Sequence, residues 1–83
     1  MITSFGTQLD IRNTVDSEDV GSFDFIKANN AFHVVWTLQS NEFWASITYE
    51  GKRISSGYFR TNKMDNMLES INYIITGYVI DNL

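Results

Sequence analysis

A chain of 83 residues, 43% hydrophobic and 14% aromatic, has material for one core and no second. It contains no cysteine, which excludes a disulfide framework and a thiolate metal site, and its single histidine, His33, has no second soft ligand with which to hold a structural zinc. Ten acidic residues against six basic ones leave a net charge of −4, the reverse of the basic footprint by which nucleic-acid binders neutralise phosphates.

The opening stretch "MITSFGTQLDIR" lacks the charged start and apolar run of a signal peptide. No apolar run approaches the roughly 20 residues of a membrane span. The expectation is a soluble cytoplasmic protein with no membrane partner. Phe, Tyr, Met, Ile, Asn and Lys heavily outnumber Gly, Ala, Arg and Pro, which points to an AT-rich genome such as that of many phages, plasmids and low-GC bacteria.

Residues 1–21 read as a strand or loop. Phe5, Leu9 and Ile11 alternate around Thr7, which suggests a strand added to a sheet edge or a flap laid over a sheet face. "VDSEDVGS" gathers Asp16, Glu18 and Asp19 into a solvated loop or a single helical turn. Its spacing lacks the DxDxDG order and distal glutamate of a calcium loop, so no metal is expected there.

From Phe23 the apolar residues alternate through Phe25, Phe32, Val34, Trp36, Leu38, Phe43, Ala45, Ile47, Tyr49, Ile54 and Tyr58. That period of two predicts an antiparallel meander over 22–60, four-stranded, or five-stranded if the N-terminal segment joins. Three turns fit: Asn29–Asn30, "QSNE" and Glu50–Gly51. They pair Phe25 with Val34, Phe23 with Trp36, Trp36 with Ala45, Ile47 with Ile54 and Trp44 with Gly57, and all three keep the same residues on one face.

Met64, Met67, Leu68, Ile71, Ile74, Ile75 and Tyr78 then fall at helical spacing. They predict a C-terminal helix over 62–80, with Asn62 as its cap, Asp65 in capping-box position and Gly77 near its end. The stripe needs a partner, and the alternating sheet face supplies it. The expected fold is α+β, with the helix packed on one side of the meander.

The other side would then carry Asp24, Ile26, His33, Val35, Thr37, Trp44, Ser46, Thr48, Arg53, Ser55, Gly57 and Phe59. Val35, Trp44 and Phe59 make it more apolar than an idle solvated face, and tryptophan and arginine are favoured contact anchors. His33 opposite Thr48 could be drawn as base and nucleophile, but no oxyanion donors converge on a flat strand, so no enzyme and no cofactor is expected. "GKRISSG" lacks the GxxxxGK[ST] order of a phosphate loop.

The stretch "FWASITYEGKRISSGYFRT" followed by a helix is similar to the three-stranded sheet and helix of plant ethylene-response-type DNA-binding domains and phage integrase arm-binding domains. Trp44, Gly51, Lys52, Gly57, Tyr58, Phe59 and Thr61 carry the likeness, over about a third of the chain. In those families the exposed strands are rich in arginine; here that face has Arg53 alone, with Lys52 and Arg60 nearby. The resemblance therefore implies the sheet-and-helix outline without the DNA contacts.

Together these features predict a small acidic protein-binding module, of the kind by which a phage or mobile element inhibits a host protein such as a defence nuclease, sterically or by nucleic-acid mimicry. Trp44, Val35 and Phe59 would be its anchors, with Arg53, His33 and Thr48 beside them. Asp16, Glu18 and Asp19 would attract a basic groove. The alternatives are a DNA-binding module on the same face and a structural homodimer.

Overall fold

The computed structural model describes all 83 residues. It contains β1 (Asp10–Asp16), β2 (Val20–Lys27), β3 (Asn30–Gln39), β4 (Glu42–Tyr49), β5 (Lys52–Phe59) and α1 (Met64–Asn82). The five strands form one antiparallel sheet in chain order. The α+β meander is thus present, with β1 as the additional strand.

The last three hairpins close on two-residue turns, Ala28–Asn29, Ser40–Asn41 and Glu50–Gly51, and all six of these residues have positive φ. Two successive positive φ values mark the type I′ turn, whose twist matches that of the flanking strands. The first of them sits one residue earlier than the expected Asn29–Asn30. Phe25 consequently pairs with Phe32 and Phe23 with Val34, a shift of two residues that leaves every side chain on its original face.

Two contacts explain that shift. Asn30 is used as a strand residue, donating to the Ala28 carbonyl at 2.9 Å and accepting from the Tyr49 hydroxyl at 2.9 Å. Gly21 comes opposite Trp36, and a Cβ placed on Gly21 would lie 2.6 Å from the indole ring. The bare glycine is what lets that ring lie against the sheet.

A bulge in β5 has larger consequences. Thr48 pairs with Arg53 but Ile47 pairs with Ser55, which leaves Ile54 as an extra residue. Beyond it, Phe43 faces Phe59, Trp44 faces Tyr58 and Ala45 faces Gly57. The expected pairs Ile47–Ile54 and Trp44–Gly57 are therefore absent. Phe59 moves to the helix side, where it packs against the core, and Tyr58 takes the outer side with 62% of its surface exposed.

The core joins Phe23, Phe25, Phe32, Val34, Trp36, Phe43, Ala45 and Ile47 of the sheet to Met67, Leu68, Ile71 and Ile75 of α1. The helical stripe is the expected one. Its boundaries differ: Gly77 does not end the helix, which runs to Asn82, and Lys63 is the N-cap residue with no side-chain cap bond. Asn62 instead donates to the Asn41 amide oxygen at 3.0 Å, while the Thr61 hydroxyl accepts from the Lys63 N–H at 3.1 Å. Glycine inside a helix costs about 1 kcal/mol relative to alanine.

Residues 1–9 settle the choice between edge and flap. The Met1 and Leu9 backbones bond to each other, Ile2 bridges Gln8, and Leu9 is in the core at 2% exposure. Phe5 is not part of a strand and is 63% exposed. The Thr3 hydroxyl donates to Glu69 and the Ser4 N–H donates to Asp65, both at 2.6 Å. The segment therefore lies beside α1, on the helix side of the sheet. No helix is long and apolar enough to cross a membrane.

These two bonds hold the Asp65 and Glu69 carboxyls below the ordinary carboxylate range, Asp65 chiefly through the Ser4 N–H and Glu69 through the Thr3 hydroxyl. A carboxyl depressed on folding contributes stability that is present above its unfolded value and lost as pH falls through its folded one. Protection of the Ser4 amide in hydrogen exchange should therefore hold down to about pH 5 and fall below about pH 4. The fall should be shallower in an Asp65→Asn, Glu69→Gln double variant. Gly21→Ala should destabilise by roughly 1–3 kcal/mol in urea denaturation, because the methyl meets the Trp36 ring.

Candidate protein-binding face

Because α1 and residues 1–9 share one side of the sheet, nothing in the chain covers the other. Strand pairing arranges that outer face in rows across the strands. One row runs Val20–Thr37–Trp44–Tyr58, the next Val15–Ser22–Val35–Ser46–Ser56, and the third Arg12–Asp24–His33–Thr48–Arg53. The face is thus graded from aromatic and apolar, through small, to charged.

In the first row Val20 and Tyr58 are exposed, while Trp44 and Thr37 are half-buried by their neighbours. The Tyr58 hydroxyl donates to the Gln39 amide oxygen at 3.3 Å, reaching from β5 across β4 to β3. Thr37 Oγ1 is buried with no hydrogen-bond partner. In the second row Val15 is exposed, Val35 half-buried and Ser46 buried. A shallow hollow of about 320 Å³ opens over Ser22 between Val15, Val20, Val35 and His33.

In the third row a side-chain hydrogen bond joins Asp24 to His33. His33 Nδ1 lies 3.0 Å from Asp24 Oδ1, and the Asn13 amide donates to the other oxygen at 2.8 Å. Asp24 is held below the usual carboxylate range, first by the Asn13 amide and then by His33. His33 is paired across the strands with Thr48, but its bond goes to Asp24. Arg12 is paired with Asp10 at 2.8 Å, whereas Arg53 makes no salt bridge.

The structure brings Val35, Trp44, His33, Thr48 and Arg53 onto one surface, as expected. It removes two other residues. Phe59 is turned inward by the β5 bulge. Asp16 is the last residue of β1 rather than part of a loop, and its carboxylate lies over Gly21 on the helix side, where it would sit 2.7 Å from an added Cβ. Glu18 and Asp19 do form the exposed β1–β2 turn, and the Asp19 carbonyl accepts from the Leu38 N–H at 2.8 Å. That bond sets the two acids at the end of the sheet that carries the Val20–Tyr58 row.

Tyr58, Val20 and Val15 were missed by the sequence reading. Tyr58 needed the bulge, and Val15 and Val20 needed the length of β1 and the start of β2. Comparison with family models, curated proteins and solved structures gave no match, so no likeness carries a function onto this face.

The lone Thr37 hydroxyl gives a test of how closed this side is. A buried, unpaired polar atom costs about 1–3 kcal/mol, and replacing it with a methyl of similar shape removes the penalty. Thr37→Val should raise the unfolding free energy by roughly 1 kcal/mol, with an unchanged urea m-value.

Proposed function

We propose that this chain is a non-enzymatic protein-binding module that occupies a partner's surface with the uncovered face of its sheet. The observation that carries this reading is the row Val20–Thr37–Trp44–Tyr58, left bare on a domain whose helix and N-terminal segment both pack on the opposite side. A contiguous apolar patch rimmed by polar groups is the usual mark of an interaction surface. Tyrosine and tryptophan supply large contact area at low conformational cost.

The rim indicates the partner's chemistry. Glu18 and Asp19 flank the aromatic end of the face, in a chain of net charge −4. They suit a protein with an apolar recess bordered by basic residues. Where that border is a phosphate-binding groove, docking blocks it, and the module inhibits a nucleic-acid-handling host protein such as a defence nuclease. Asp16 is not part of this contact. Association is then steered by charge and held by the aromatic anchors.

The test compares capture by tagged protein from the native host with capture by two variants, Val20→Ser with Tyr58→Ala, and Glu18→Lys with Asp19→Lys. All four side chains are exposed, so melting temperature should be unchanged. A partner held by the parent protein should bind about 10²-fold more weakly to the first variant, as for an interface anchor, and associate more slowly with the second. Equal binding by all three proteins, or retention on DNA that falls steeply with salt, defeats the proposal.

A further inference from the structure

The second open surface is an edge. We propose that β5 accepts an extended segment of a partner protein as a sixth strand, and that this segment alternates apolar with acidic side chains. β5 pairs only with β4, so its other side presents a row of backbone donors and acceptors. The bulge at Ile54 blunts the beginning of the strand but leaves Ser55–Phe59 regular. The short side chains of Ser55 and Ser56 and the bare Cα of Gly57 let another backbone approach closely.

Two glycines support this. An added Cβ on Gly57 or on Gly77 would meet nothing within 4 Å, and neither residue has positive φ. Glycine weakens a strand interior and a helix interior alike, and nothing inside the chain requires it at these positions. Gly77 opens onto a groove of about 630 Å³ between α1 and β5, walled by Ile54, Ile74, Tyr78 and the exposed Tyr73 and Ile80. An apolar side chain from an added strand would enter there.

Charge selects the occupant. Lys52 and Arg53 begin β5, Arg60 follows it, none of them makes a salt bridge, and the strand contains no acid. Arg53 lies on the outer side, while Asp81 borders the groove. Acidic side chains therefore suit the outer side of the added strand, and apolar ones suit the groove side. A second copy of β5 fits poorly, because two-fold antiparallel pairing about Ser56 brings Lys52 of each chain beside Arg60 of the other.

The test titrates isotope-labelled protein with a synthetic peptide of roughly seven residues, a common strand length, alternating glutamate and valine. Amide shifts should be confined to Ser55–Phe59 and the helix around Gly77. Gly77→Leu, which fills the groove and favours the helix, should raise the melting temperature and weaken binding at least about tenfold. Arg53→Glu should weaken it comparably, and a peptide with lysine in place of glutamate should give no shifts. The proposal is overturned by silence at millimolar peptide, by equal response to the lysine peptide, or by shifts at Val20, Thr37 and Trp44. Concentration-dependent self-association abolished by Asp16→Lys would overturn it too, assigning the edge to the acidic β1 of another copy. Because none of these variants touches Val20, Tyr58, Glu18 or Asp19, the edge and the face can fail separately.

Discussion

The structure depends on one helix sealing one side of a sheet wider than itself. Five strands span roughly 19 Å from first to last at ordinary spacing, whereas a helix with its side chains is about 10 Å across. α1 meets this constraint by crossing the sheet obliquely. Met64 and Leu68 line a hollow with Ile11, Phe23 and Trp36 near β1, while Tyr78 meets the rings of Phe32 and Tyr49 farther across. Residues 1–9 fill the corner beside the first half of the helix, through Leu9, Thr3 and Ser4. The corner between its second half and β5 has no such filler, and the groove at Gly77 results. None of the 83 residues described lies over the outer face.

Within that frame, small backbone irregularities decide which side chains reach each surface. The single residue absorbed at Ile54 exchanges the roles of Tyr58 and Phe59, placing Phe59 opposite Phe43 and Tyr58 beside Trp44. Without the bulge Phe59 would be stranded outside, and Tyr58, with its polar hydroxyl, would take its place at the core margin. The irregularity in β1 acts similarly: Asn13 adopts positive φ there, and its amide reaches Asp24 across the pair. Both bulges lie in edge strands, where local twisting also discourages indiscriminate pairing.

Which parts were legible in the sequence follows from this. The alternation from Phe23 to Tyr49 determined the faces, and the two-residue error in pairing across the β2–β3 turn did no harm because it preserved parity. An error of one residue reverses everything, and that is what the β5 bulge introduced. Nothing in "ISSGYF" reveals it, since Ile54, Ser56 and Tyr58 read as plausibly inward as Ser55, Gly57 and Phe59. The Trp–Gly pairing expected at Trp44 and Gly57 exists elsewhere, between Trp36 and Gly21, because it required the true turn position. The helix overran Gly77 because the apolar stripe continues through Tyr78 and Val79, which both pack on the core. Asn62 supplies no cap because the helix starts one residue later, with Lys63 at the N-cap position, and its side chain is turned toward Asn41.

The two open surfaces recognise by different means, and β5 belongs to both. Its outward residues, Tyr58 above all, extend the face, where affinity comes from side chains that a partner's shape must accommodate. Its backbone and the inward Gly57 belong to the edge, where hydrogen bonds to any extended chain are available and selectivity falls to flanking charge and to the groove. A partner that inserted a strand beside β5 would bring its own outer side chains level with Tyr58 and Arg53. Contacts on the face and along the edge would then reinforce each other, because ordering the strand once places both sets of groups. A domain of 83 residues with one helix could thereby present a surface wider than its own outer face.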